Sequence, residues 1–269
     1  MMMRVGLGSV ALLGLLACGG SNSDVKVTGA DANSLATSPG GAATLTFMDL
    51  ESIKPDNANL AAVVQASDGA QDVVGCRTFN TSSDGTTRTT TFTYTGCTAA
   101  NGWAMTGTVT FQSPIASLGS YTSIFDLHSQ DPTGTKSWAY SGTKLVTINF
   151  AQQTATLKVP DGAFMTVIYQ DTQDTSKNKT YHYIPNLTGN WATLGQFKLM
   201  GSYSFQQVGG TTVTATVATA TPLIWTAACC YPASGTIALA AGDATATAVF
   251  GPNCGDLKFN GTSLPLTCQ

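Results

Sequence analysis

The chain reads as an all-β protein: an antiparallel meander forming a curved sheet, a sandwich or a half-open barrel. Three observations predict this. Charged residues make up only 10% of the 269 residues, and Glu51 is the sole glutamate. An ordinary globular chain carries roughly 25% charge, and exposed amphipathic helices depend on Glu and Lys, so this composition nearly excludes them. Threonine recurs in pairs and in alternation with apolar residues. Its branched Cβ fits a pleated surface and disfavours a helix. Finally, short alternating runs are separated by Gly, Asp, Asn and Pro at near-regular spacing, the pattern of consecutive hairpins.

The elements follow in order. The folded part is expected to begin at Thr44, with a strand at 44–50 (TLTFMDL). Residues 57–66 (NANLAAVVQA) fit one short helix, with Leu60, Val63 and Val64 on one face. From there period 2 dominates. The run 88–95 (RTTTFTYT) puts Phe92 and Tyr94 on one face, and 106–111 puts Val109 and Phe111 inward. Runs 144–150 and 154–159 are separated by 151–153 and read as a hairpin. Run 164–169 follows a turn at Pro160, Asp161 and Gly162. Runs 197–205 and 213–219 flank Gly209 and Gly210, and 236–239, 245–250 and 256–259 complete the set. A second arrangement, two small β subdomains divided near residue 205, fits the same pattern.

The N-terminus has its own logic. Arg4 precedes an apolar run over 5–16, too short for the roughly 20 residues of a membrane-spanning helix and suited to a signal peptide. The run ends in Leu15, Leu16, Ala17 and Cys18. These four residues resemble the bacterial lipobox. The resemblance implies a signal peptide over 1–17, diacylglyceryl transfer to the Cys18 thiol, cleavage before it and acylation of the new amine. Acyl chains contribute ~0.8 kcal/mol per buried methylene, which makes such anchoring nearly permanent. Gly19 rather than Asp follows the cysteine, and by resemblance to Gram-negative lipoproteins this favours the outer membrane. Residues 18–43, rich in Gly, Ser, Ala and Asn, read as the lipidated cysteine and a flexible tether with a reach of ~25–30 Å. The β-rich domain is then 44–269.

Six cysteines remain: Cys76, Cys97, Cys229, Cys230, Cys254 and Cys268. An even number in an exported chain points to disulfides. Cys76 and Cys97 flank one hairpin-like segment and are expected to pair. Adjacent cysteines rarely bond to each other, so one of Cys229 and Cys230 is expected to pair with Cys254 and the other with Cys268. A metal site at Cys229 and Cys230 is disfavoured, with no nearby His and no C-x-x-C. The two cysteine-flanked segments echo one another weakly. The second half, with its Gly-Thr strands, is similar to Thr/Gly-rich repeats of uncharacterised envelope lipoproteins, a resemblance that implies no catalytic residues.

Chemistry-bearing residues are few. Loss of 1–17 removes Arg4 and takes the net charge from −3 to −4, which disfavours nucleic acid and anionic surfaces as partners. Asp126 and His128 fall on one face of a strand and are the weak candidates for a hydrolase pair, with no G-x-S-x-G to complete them. His182, between Tyr181 and Tyr183, reads as an edge or loop residue or part of an aromatic rim. Trp138, Tyr140 and Trp191 sit in loop-rich context, where aromatics can stack on a sugar or cover a lipid, or close the ends of a core. Asp84 and Asp161 precede glycines and look structural. Asp171 and Asp174 lack the spacing of a calcium loop. No cofactor or metal motif is present.

Three functions follow in order of preference. The first is a non-enzymatic structural or interaction lipoprotein of the cell envelope, tied to the membrane by acyl chains. The second is a lipid- or glycan-binding lipoprotein, which a continuous apolar concave face would favour. The third is an envelope hydrolase, which would need Asp126, His128 and a serine to converge in a cleft.

Overall fold

The computed structural model describes residues 71–263, apart from 75, 99–102, 117–118, 192, 194–195, 211, 225, 227–231, 242–243, 254–255 and 260. The expected signal peptide and tether, the expected strand at 44–50 and the expected helix at 57–66 lie outside the described residues, as do Cys18, Cys229, Cys230, Cys254 and Cys268. What is described is all-β, with a single 3-10 turn at Thr175–Lys177.

Fifteen strands form one antiparallel sheet. They are β1 Gln71–Val74, β2 Arg77–Ser83, β3 Thr87–Thr98, β4 Ala104–Pro114, β5 Ser120–Gln130, β6 Lys136–Asn149, β7 Thr154–Lys158, β8 Met165–Asp171, β9 Lys179–Asn190, β10 Lys198–Gln207, β11 Thr212–Ile224, β12 Ser234–Ala241, β13 Ala244–Phe250, β14 Leu257–Phe259 and β15 Thr262–Ser263. Each strand pairs with its chain neighbours, as a meander requires, with one exception. Both β7 and β8 lie between β6 and β9 and run in the same direction. The turn at 160–162 therefore does not reverse the chain. Together β7 and β8 are one strand, broken by an excursion over 159–164. Phe205 lies inside β10, which pairs on both sides with β9 and β11, so the sheet runs through the expected subdomain boundary.

One face of this sheet is buried from β2 to β14. Alternate residues supply it: Val109, Leu127, Tyr140, Val146, Leu157, Val167, Tyr183, Leu187, Tyr203, Val217, Leu239 and Phe250 all belong to a single core cluster, and Phe92 is buried on the same face. Burial of each such side chain contributes about 1.5–3 kcal/mol. Aromatic rings carry the contact sideways across β2 to β5, with Phe79 on Phe92 at 5.7 Å, Phe92 edge-on to Phe111 at 5.8 Å and Phe111 against Tyr121 at 6.0 Å. The opposite face is hydrophilic, with Thr78, Thr93, Thr108, Asp126, Ser141, Thr166, His182 and Gln206 forming one row across eight strands. This polarity is the reverse of a transmembrane barrel, whose apolar residues face out.

A sheet covering its own apolar face must bend sharply, and inner-face glycines mark where it does. Gly107 in β4 and Gly201 in β10 have φ of +113° and +146°, and a Cβ on either would sit 2.1 Å from a carbonyl oxygen of the next strand, that of Asp126 or Asn186. Only glycine permits that approach. Gly142 and Gly235 occupy equivalent inner positions in β6 and β12. Aromatic residues lie directly across from three of the four, Tyr94 from Gly107, Phe125 from Gly142 and Phe250 from Gly235. Such rings cover the backbone that a glycine leaves bare.

A bulge also sets the disulfide. The β3–β4 register shifts between Thr95 and Cys97, with Gly96 at φ +79° as the extra residue. One added residue exchanges the faces. Phe92 and Tyr94 point inward, and after the bulge Cys97 also turns inward. There it bonds Cys76, with a Cα–Cα distance of 5.1 Å. The expected Cys76–Cys97 pair is present.

Alanine should separate the two kinds of glycine. Gly107→Ala or Gly201→Ala is expected to cost about 2–4 kcal/mol, from backbone strain and overpacking together. Gly85→Ala, at φ +89° but with nothing within 4 Å, should cost roughly 1 kcal/mol. Urea unfolding measures both, and equal losses would contradict the role assigned to the inner glycines.

Candidate functional site

The residues with chemical potential divide by face. Trp138 and Tyr140 are not in a loop: they lie in β6, and Tyr181 and Tyr183 lie in β9, all four on the buried inner face. The polar and small residues around Trp138 are the outward half of a strand, not loop sequence. Trp138 packs on Tyr169 at 4.7 Å. The Tyr140 and Tyr183 hydroxyls meet at 2.5 Å across β8, and Tyr183 stacks on Phe205 at 6.2 Å. Trp191 is partly buried against the same core. These aromatics therefore build the core, the role that closing a β core assigned them.

Lys144 is the unexpected member of this face. It is 1% exposed, with its Nζ 4.8 Å from the Phe125 ring centre and 5.2 Å from that of Tyr140. Contact with ring faces offsets part of the cost of burying a cation. Its position explains how it got there. Alternation along β6 points Lys144 inward, and β7 and β8 part beside it. Across the β5–β6 ladder it faces Ser123, itself fully buried with an unpartnered hydroxyl. Nothing in the sequence flagged this lysine except its even spacing from Tyr140 and Val146.

Asp126 and His128 do share a face, as the alternation predicted, but it is the exposed outer one. Ser141 stands directly across from Asp126, and His128 faces Ala139. No side-chain hydrogen bond joins Asp126, His128 and Ser141. Asp126 and His128 are exposed and Ser141 half-buried, without the base–nucleophile contact that acyl transfer requires.

The outer face has one built feature. His182 is not an edge or loop residue: β9 is paired on both sides, and His182 points outward between Thr166 and Gln206. Phe164, at the end of the excursion, stacks on its imidazole with centroids 3.7 Å apart and planes within 19°. Phe164 remains 43% exposed, as does Ile184, the next outward residue of β9. The excursion places six residues, 159–164, opposite Ile184 and Pro185. Pro185 has no backbone N–H to contribute, and a proline inside a sheet belongs where pairing is interrupted. A proline in β9 facing a Pro-Asp-Gly in its neighbour was the signal for this excursion.

The aspartates shape loops. Asp84 accepts from the Thr87 and Thr86 N–H groups at 2.7 and 2.8 Å, and these bonds hold its pKa below the ordinary value. Burial raises Asp131, but donation from the Lys136 and Thr135 N–H groups and the Thr133 and Thr135 hydroxyls outweighs it, so its pKa is lowered. Asp174 caps the 3-10 turn, and its pKa is lowered by the Ser176 hydroxyl and by Lys177, 3.0 Å away. Asp171 is buried and accepts from the N–H groups of Gln173 and Asp174. These oxygens are turned into their own loops. Among the described residues no three His, Cys, Asp or Glu side chains converge as metal ligands.

Compared with family models, curated proteins and solved structures, the chain matches none. Its function must therefore be argued from its own residues.

The loop aspartates predict an acid-labile fold. Asp84, Asp131 and Asp174 have lowered pKa values when folded. Their stabilisation is full above the unfolded value of about 4 and is lost as pH falls through the folded values. Melting temperature should hold near neutrality and fall steadily below about pH 4. Asp131→Asn should melt lower at pH 7 and show a shallower acid limb. A melting temperature that rises on acidification would contradict this.

Proposed function

We propose that the chain is exported, anchored in the outer membrane by acyl chains on Cys18, and works in the cell envelope as a non-enzymatic interaction module. The observation that carries the second half is the division of the sheet. Its inner face is consumed as core, leaving a broad, exposed outer face of Thr, Ser, Asn and Gln as the working surface. The lipobox-like Leu15 to Cys18 and the tether over 18–43 support the first half. An enzymatic reading finds less support, because Asp126 and His128 lie apart from any nucleophile contact. Of the ligand-binding readings, lipid is less favoured than glycan: a lipid needs an accessible apolar wall, and the inner face is packed against itself.

Metabolic labelling with an alkyne fatty acid, followed by membrane fractionation, tests the anchoring. The native chain should carry label and sediment with the outer membrane. Cys18→Ser should lose the label and leave that fraction. Release of unlabelled native chain in soluble form would overturn the proposal.

A further inference from the structure

We propose that the outer face around Phe164 is a binding platform for a neutral glycan chain. The inference rests on the interaction-module reading, and only on its claim that the outer face is the working surface.

The excursion over 159–164 interrupts strand pairing in the middle of the sheet, opposite Gly142, Thr143 and Lys144 on one side and Ile184 and Pro185 on the other. Interruptions of this kind re-aim side chains and gather near functional sites. Here the re-aimed side chain is Phe164. The imidazole of His182 fixes its ring orientation by stacking at 3.7 Å, and the residue stays 43% exposed. An aromatic held in one orientation against a paired strand is preorganised, so little side-chain freedom is lost when a ligand stacks on it.

The surroundings select the occupant. Thr166 and Gln206 flank His182 in register, Ser204 faces Ile184, and Ser141 lies beyond Thr166. Hydroxyls and an amide thus ring an aromatic surface. The charges that sequence and register place around it are Asp161 in the excursion, Asp126 beside Ser141 and Lys158 beside Asn186, and they leave no positive excess to recruit a polyanion. Phe164 and Ile184 are the exposed large apolar side chains of the excursion and of β9, a smaller patch than a protein or lipid contact presents. A neutral sugar fits both parts. Its C–H face packs on the ring, and its hydroxyls exchange hydrogen bonds with Thr, Ser and Gln side chains.

Affinity electrophoresis of the full chain in a polyoxyethylene detergent tests this, in gels containing dextran, mannan, galactomannan or hydroxyethyl cellulose, with anionic alginate for comparison. At least one neutral polysaccharide should retard the native chain. Phe164→Ala should weaken that retardation tenfold or more, and Gln206→Ala severalfold. Phe150→Ala, which removes a more exposed phenylalanine after β6, should leave it unchanged. Thermal melting of Phe164→Ala close to native shows that the loss is not unfolding. Retardation by none of the neutral polymers, stronger retardation by alginate, or native retardation of Phe164→Ala would each overturn the proposal. The result is independent of acyl labelling at Cys18, so failure of the glycan site and failure of the anchoring remain distinguishable.

Discussion

A lone antiparallel sheet with one apolar face has only itself to bury that face against. No helix layer and no second sheet cover the inner face among the described residues, so β3 to β14 share one core cluster and the sheet must curl around it. That requirement governs the local chemistry. Inner-face glycines appear at Gly107, Gly142, Gly201 and Gly235, where a side chain would strike the neighbouring strand. Aromatics stand across from most of them. The bulge at Gly96 turns Cys97 into the core, where it meets Cys76.

The same constraint separates core from surface function. Tryptophan and tyrosine, the usual material of binding sites, are spent on filling the inside of the curl. Lys144 is enclosed there with them, held against Phe125 and Tyr140. What remains outside is a hydroxyl-rich, nearly uncharged surface. On such a surface specificity has to come from shape and placed aromatics rather than from charge. The break between β7 and β8 supplies both, by setting Phe164 on His182.

Much of the fold was legible because period-2 alternation is a direct record of two different environments. The shared face of Phe92 and Tyr94, the inward assignments of Val109 and Phe111, the hairpin at 151–153 and the turn at Gly209 all hold, and Cys76 pairs with Cys97. The failures have physical reasons. Trp138 and Tyr140 alternate with Ser and Ala and precede Gly142, so a strand resembles a loop when its outward residues are small and its inward run contains a glycine. The Pro-Asp-Gly at 160–162 is a genuine turn, but a turn signal does not state whether the chain reverses or resumes its direction. Here it resumes, and the outer-face stack was invisible as a result. The curl itself depends on contacts between residues far apart in the chain, which local patterning does not record.

Hydroxyl-radical footprinting of the native chain, read residue by residue by mass spectrometry, tests the central claim that one face is core and the other is surface. Phe150, Phe164 and Met200 should be modified readily. Tyr140, Tyr183, Tyr203 and Phe205 should stay protected until the chain unfolds, and then react together. Comparable modification of the two groups under native conditions would mean that the inner face is open to solvent, and the account of a sheet curled over its own core would fail.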